Sequence, residues 1–320
     1  MSDAPRIHRI ALIGFGEVGT IFGRDLAQRG LTLSTYDILL DAPATRSTML
    51  ERARAAAVVP VDTLADAVRN ADLVISAVTA TSARDVACAA APHLSPGQLF
   101  LDLNSVSPET KRGNARVVEA SGAEYVEAAV MAPVPPQRLG VPMLLGGRQA
   151  GALADALKAF GMNATAVADE IGTASAIKMC RSIMIKGLEA LTVESLFAAL
   201  RFGAEQAVLA SLDKTFPHMG WNAELPDYLV SRVAEHGRRR AAEMREVAQT
   251  QSDVGVRPTM SSATAERHDA LVNAMADAGI PYRAGARFSW RALADALAAA
   301  TPPATTANST TDKIDREAQR

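Results

Sequence analysis

The chain has 320 residues, 48% hydrophobic and 21% charged, a globular balance with enough length for one large or two ordinary cores. A formal charge of −2 provides no global basic field, which argues against nucleic acid or a membrane surface as partner. No apolar run reaches the roughly 18 residues of a membrane span, and two cysteines, Cys88 and Cys180, make neither a disulfide framework nor a metal site. The short stretch before the first strand lacks the apolar segment of a secretion signal, so a cytoplasmic protein is expected.

Short apolar runs alternate with helical patterns in the first half. Strands are expected at Arg9–Ile13, Leu31–Tyr36, Ala56–Val59, Leu73–Val78 and Leu99–Leu103, then at Tyr125–Ala128, Met143–Leu145 and Met162–Val167. Helical stretches lie near Glu17–Arg29, Leu64–Arg69, Ala83–Ala91, Glu109–Ala120 and Ala150–Phe160. Unbroken apolar strands alternating with helices argue for a parallel sheet covered on both faces. After Glu170 the strand pattern stops. Helices are expected from Ile171 to about Ala210, at Pro226–Thr250, at Ala263–Ala278 and around Trp290–Ala300. The fold class is therefore an α/β Rossmann domain, residues 1–168, followed by an all-α domain, residues 169–300. The last twenty residues, 301–320, read as a disordered tail rich in Thr, Pro, Ala and charge.

The segment Ile10-Ala-Leu-Ile-Gly14-Phe15-Gly16-Glu17-Val18-Gly19 is G-x-G-x-x-G directly after a strand and opening a helix, the context a dinucleotide site requires. Gly14 allows the tight turn, Gly16 lets the backbone approach a pyrophosphate, and Gly19 lets helix and strand pack closely. The helix N-terminus offers free N–H groups and partial positive charge to phosphates. Asp37 closes the second strand, where an acid accepts ribose hydroxyls and repels a 2′-phosphate. NAD is therefore expected, with NADP as the second choice. Val78 and Thr79 follow the fourth strand, at the edge that faces the ligand crevice.

Asp102-Leu-Asn104-Ser105-Val-Ser107-Pro108 is a polar cluster at the same edge. Ser107 and Pro108 read as N-cap and N1 of the next helix. Asn104 and Ser105 are left over, and could hydrogen-bond substrate or nicotinamide. Farther on, Ser175, Lys178, Ser182, Lys186 and Glu189 fall on one stripe of a helix, with Ile177, Cys180, Met184, Leu188 and Leu191 on another. Two readings stay open on periodicity alone. In one, the polar stripe faces a cleft and desolvation lowers the pKa of Lys178, suiting it to proton transfer. In the other, the stripe is a solvated face with a Lys186–Glu189 pair. A third stripe carries Arg232, His236, Arg240 and Glu243. Its arginines could hold a substrate carboxylate or phosphate, or form an ion-paired surface. The histidines show no ligand spacing, and no metal is expected.

These motifs, together with Tyr125-Val-Glu-Ala-Ala-Val-Met131-Ala-Pro-Val, resemble the β-hydroxyacid dehydrogenase superfamily. Within it the chain resembles 6-phosphogluconate dehydrogenase-like proteins with a DUF1932-type C-terminal domain. The resemblance covers residues 8 to about 295. It implies a homodimer with intertwined helical domains, a small hydroxy acid as substrate, and a lysine general acid/base, which lands on Lys178. A substrate-contacting asparagine four residues later is here Ser182. The serine–glycine–glycine segment expected after the sixth strand is replaced by Val130-Met131-Ala132-Pro133, which implies a more apolar or differently shaped pocket. The alternatives are an imine reductase-like enzyme and a non-catalytic dinucleotide-binding regulator.

Overall fold

The structure is a computed structural model, and it describes residues 5–300. The segment expected to be a disordered tail lies outside the described residues. The first strand, β1 (Arg9–Ile13), leads through the glycine turn into α1 (Glu17–Ala27); β2 (Thr32–Tyr36), α2 (Pro43–Ala55), β3 (Val59–Pro60), α3 (Leu64–Val68), β4 (Leu73–Ser76) and α4 (Ala83–Ala90) follow. Next come β5 (Leu99–Asp102), α5 (Pro108–Glu119), β6 (Glu124–Val130), the single turn α6 (Val134–Gln137), β7 (Met143–Gly146), α7 (Ala150–Ala159) and β8 (Ala164–Ala168). The remainder is helical: α8 (Thr173–Arg201), α9 (Glu205–Thr215), α10 (Leu225–Asp253), α11 (Thr259–Asp277) and α12 (Trp290–Ala300).

The eight strands form one sheet in the order β3-β2-β1-β4-β5-β6-β7-β8. The chain reverses direction across the sheet between β1 and β4, so the crevice beyond their carboxyl ends is where ligands of open α/β sheets bind. The central strands are buried on both faces: one apolar cluster gathers Leu12, Phe15, Phe22 and Leu73, and the opposite one gathers Ala11, Val74, Phe100 and Tyr125. That double burial is why the central strands read as unbroken apolar runs.

Three details depart from the sequence expectation. Strand β7 runs antiparallel to β6, with Glu127 opposite Gly146 and Val130 opposite Met143. Only Val59 and Pro60 form β3, because Ala56 and Ala57 finish α2, with Ala57 at φ 56°. Helix α2 itself has no counterpart in the periodicity, since it buries only Met49 and Ala53 and therefore has no apolar stripe to detect.

The chain divides into two compact units. The first takes the chain up to Leu188 together with Arg238–Glu266, so it includes the start of α8, the end of α10 and the start of α11. Met179 of α8 packs there with Ala241, Met244 and Val247 of α10 and Ala265 of α11. The second unit takes Glu189–Gly237 and the chain from Arg267. In it, Arg291 donates to Glu205 at 2.7 Å and the Trp290 amide to Asp227 at 2.8 Å.

Candidate active site

The glycine turn has the shape a dinucleotide needs. Gly14 has φ +89°, and a Cβ there would lie 2.5 Å from the Ala77 carbonyl oxygen. A Cβ on Gly19 would run into the Gly14 carbonyl oxygen. A Cβ on Gly16 would meet nothing within 4 Å, so the backbone at Gly16 is open to an incoming group. Gly16 is also the N-cap of α1 and supplies no side chain to cap it. The free N–H groups of that first turn are thus left for an anion. Glu17 is exposed, Val18 is half-buried, and the Phe15 side chain is wholly in the core. These residues fit a dinucleotide pyrophosphate.

Asp37 is held firmly beside this turn. Its Oδ2 accepts the Phe15 amide at 2.6 Å and its Oδ1 the Leu39 amide at 2.9 Å. A carboxylate oxygen accepts more than one hydrogen bond, so Asp37 still has capacity for ribose hydroxyls. Burial, then the Asp41 and Asp37 carboxylates, pushes the neighbouring Tyr36 hydroxyl up to about 12, marking the spot as acidic. Arg46 points elsewhere, bonding the Leu40 carbonyl at 2.8 Å and Asp62 at 2.5 Å. Arg52 of α2 donates to the Phe15 carbonyl at 3.2 Å, which places a cation against the turn. Sequence reading missed Arg52 because α2 itself was not legible.

The next two strands supply the adjoining edge. Asn104 is buried, and its amide is a clamp: Oδ1 accepts the Val78 N–H at 2.8 Å and Nδ2 donates to Ser76 Oγ at 3.0 Å. Its own N–H donates to Asp102 Oδ1 at 2.8 Å. Asp102 is the centre of a buried polar cluster: Lys111 Nζ is 3.0 Å from Oδ1, while Tyr125 Oη at 2.6 Å and Asn114 Nδ2 at 3.2 Å donate to Oδ2. Burial, with Asp102 next to it, holds the Tyr125 hydroxyl well above its usual range, so it stays protonated and donating. Ser107 caps α5 through the Thr110 N–H at 3.2 Å, as the sequence indicates, and its own N–H donates to Glu246 of α10 at 3.0 Å. Ser105 is half-buried between these anchored positions. Thr79 is exposed, with its hydroxyl 2.9 Å from Ser82 and 3.0 Å from Thr81.

Helix α8 inverts the usual division of faces. Ser175, Ser182, Lys186 and Glu189 are buried, whereas Ile177 is 41% and Met184 74% exposed. The Lys186–Glu189 pair of the solvated reading is replaced by a contact with α10: Lys186 Nζ is 2.8 Å from Glu243 Oε2 and donates to Ser182 Oγ at 3.2 Å. Burial pushes the Glu243 carboxyl up, but Lys186, Lys178 and Arg239 outweigh it and hold the group below its usual range. Lys178 is only partly exposed. Desolvation is the largest influence on it; Glu243 opposes, Lys186, Lys111 and Arg239 add to it, and the amine falls to about 8.

The remaining candidates lie just past β6 and on α10. Met131 and Ala132 are half-buried just past β6, and the Met131 N–H is fixed by the Pro142 carbonyl at 2.9 Å. Arg240 is buried in the first unit. His236 belongs to the second unit, with Nε2 3.3 Å from Glu235. Among the described residues no group of three His, Cys, Asp or Glu could hold a metal ion, and no helix is long and apolar enough to cross a membrane.

Comparison with known proteins identifies the family of the α/β part. The model of the NAD binding domain of 6-phosphogluconate dehydrogenase matches residues 9–172, just over half of the chain. The chain belongs to this NAD-binding family. A domain of unknown function, DUF1932, matches residues 199–271. A conserved hypothetical protein from Sinorhizobium meliloti 1021 is 39% identical, with TM-score 0.77, over 93% of this chain and 98% of that one. An uncharacterised 28.5 kDa protein of Methanothermus fervidus is 30% identical over 62% of this chain and 75% of its own length. Mitochondrial 3-hydroxyisobutyrate dehydrogenase of Bos taurus is 23% identical over 67% of this chain, which spans 64% of the bovine enzyme. The match to the NAD-binding family thus covers the α/β part of the chain, and the helices follow it.

Proposed function

We propose that this protein is a nicotinamide-dependent oxidoreductase that interconverts a small hydroxy acid, or a related alcohol, with its carbonyl form. Lys178 is the general acid/base, and NAD is preferred to NADP. The observation that carries the reading is the placement of Lys178, half-buried on the α8 stripe that also holds the buried Ser175, Ser182 and Lys186, where desolvation, opposed by Glu243, lowers its amine to about 8. A group that titrates near working pH can both take and return a proton.

Gly14, Gly16, Gly19 and the first turn of α1 hold the pyrophosphate, Asp37 the adenosine ribose, and Val78 and Thr79 line the crevice. When bound, the nicotinamide supplies the acceptor or donor of hydride. In oxidation the neutral Lys178 Nζ removes the proton of the substrate hydroxyl; in reduction its ammonium returns it. Ser105 presents its hydroxyl to the substrate from a loop that Asn104 keeps rigid. Ser182, Met131, Arg240 and His236 are candidates for further substrate contacts. Lys186, Lys111 and Arg239 outnumber Glu243 around Lys178 and favour an anionic substrate, and Met131 in place of a serine favours one with an apolar arm.

We also place the protein in the cytoplasm as a homodimer. The apolar side of α8, with Met184 74% exposed and Ile185 41%, supports a second copy as its cover. The Lys178 reading is tested with a panel of 2- and 3-hydroxy acids, followed by absorbance of the reduced cofactor with NAD and with NADP. Turnover with NAD that Lys178→Met lowers by about 10²–10⁴-fold, with NAD binding retained, is expected. Turnover unchanged by Lys178→Met would remove the proton-transfer role. Tight NAD binding with no turnover across the panel would favour a non-catalytic regulator instead.

A further inference from the structure

We infer that Glu127 is the positioning residue of this site: from inside the sheet it anchors the first turn of α8 and so fixes where Lys178 stands. The inference rests on the proposed role of Lys178. Glu127 lies on β6 and is fully buried. A carboxylate in a sheet interior is costly unless its oxygens are satisfied. Here they are satisfied by one helix end: Oε1 accepts the Gly172 N–H at 2.6 Å and the Ala174 N–H at 3.0 Å, and Oε2 accepts the Ser175 hydroxyl at 2.7 Å. The two N–H groups are among the orphan backbone donors of a helix N-terminus, where negative charge is also favoured.

The sheet is shaped for this contact. The antiparallel register of β7 sets Gly146 directly opposite Glu127, and a Cβ on Gly146 would lie 2.7 Å from Oε1. Gly172, at φ +108°, turns the chain into α8, and a Cβ there would lie 2.7 Å from the Arg112 guanidinium. A local Ser or Asp would have capped the helix equally well. A carboxylate sent from a strand does more, because it fixes the helix to the sheet that holds the cofactor turn. Lys178 follows Ser175 by one helical turn, too close to the anchor for slack to build up. The carboxylate that acts on the charge of Lys178 is Glu243. Glu127 therefore works through geometry.

The test compares Glu127→Ala, Glu127→Gln and Ser175→Ala in the full chain. Glutamine keeps an oxygen for both N–H groups, and its amide meets the Ser175 oxygen, whose hydrogen turns to the Gly172 carbonyl already 3.2 Å away. Two readouts need no substrate: hydrogen exchange at the Gly172 and Ala174 amides, and titration of ¹³C-dimethylated Lys178, assigned by its loss in Lys178→Met. Alanine at 127 should speed exchange by about tenfold or more, matching loss of a charge-assisted bond. It should also move the Lys178 midpoint from about 8 toward its ordinary 10.5. Glutamine should restore both, and Ser175→Ala should give a smaller change in the same direction. Faster exchange with an unmoved midpoint, or no change in either, overturns the inference; Ser175→Ala decides if Glu127→Ala does not fold. A wild-type midpoint at the ordinary lysine value would instead sink the Lys178 reading, and the positioning role with it.

Discussion

Lys186 Nζ and Glu243 Oε2 face each other at 2.8 Å between α8 and α10, and the pair governs the charge felt by Lys178. Glu243 raises the Lys178 pKa and Lys186 lowers it. Glu243→Gln removes the carboxylate and leaves Lys186 unopposed, so the Lys178 midpoint should fall below about 8. Lys186→Met removes a cation and frees the carboxylate, so the midpoint should rise. Opposite shifts in the pH dependence of turnover are expected; shifts of one sign would refute the arrangement. Glu243→Gln leaves the buried Lys186 without its carboxylate, at a cost of about 3 kcal/mol, the low end for a buried pair because Glu243 keeps some solvent; Lys186→Met leaves Glu243 with Arg239 at 3.9 Å and should cost less. Urea unfolding measures that cost.

The direction of the wild-type pH profile follows from the same amine. Oxidation needs Lys178 neutral, so its rate should climb as pH rises through about 8 and then level off. Reduction needs the ammonium, so its rate should fall over the same interval. Initial rates in both directions between pH 6 and pH 10, roughly two units either side of that midpoint, decide the matter. An oxidation rate that falls with pH across this window would exclude Lys178 as the base.

The glycines of the cofactor turn should separate stability from binding. Gly16→Ala adds a methyl where nothing lies within 4 Å, so the thermal midpoint should stay near wild type while NAD affinity drops by about tenfold or more. Gly19→Ala forces a Cβ into the Gly14 carbonyl oxygen, so both stability and binding should fall. Calorimetry of unfolding and of NAD binding reads the two effects independently. Equal loss of stability in the two variants would refute the division of roles.

How much of this was legible beforehand depends on the range of the interaction. The strand–turn–helix was legible because Gly14, Gly16, Gly19 and Asp37 carry a local signature with fixed spacing. The central strands were legible because burial on both faces writes itself as apolar runs. The antiparallel turn of β7 was not, since strand direction is a tertiary fact that an apolar run does not encode. Glu127 was hidden for the same reason: its partners Gly172, Ala174 and Ser175 lie 45, 47 and 48 residues downstream. The polar stripe on α8 was visible, but its burial was not, because the same spacing serves a solvated face or a cleft. Its partner across the packing, Glu243, sits on another stripe, and nothing in either periodicity joins them.

Asp37 offers a cofactor test with an internal control. Asp37→Ser removes the negative charge that disfavours a 2′-phosphate, so the ratio of NADP to NAD dissociation constants should shrink by about tenfold or more. The substitution also deprives the Phe15 and Leu39 amides of their acceptor, costing about 1–2 kcal/mol of stability. Asp37→Asn retains an acceptor without the charge and should shift the ratio with less loss of stability. Equal affinity of the wild type for both cofactors would remove the basis for assigning NAD.

Asn104 and Ser105 are neighbours with separable jobs. Asn104→Ala leaves the Val78 N–H and Ser76 hydroxyl without partners at the crevice edge, so about 1–3 kcal/mol of stability and some NAD affinity should go together. Ser105 takes no part in that clamp, so Ser105→Ala should leave stability within about 0.5 kcal/mol of wild type. Its effect should fall instead on turnover with the best acid of the panel, as a raised KM with NAD affinity retained. Such a split reports lost substrate binding, because an interaction shared by ground and transition states changes KM without changing kcat. A Ser105→Ala variant with wild-type KM would return the loop to a purely structural role, and the search for substrate contacts would move to Ser182 and Met131.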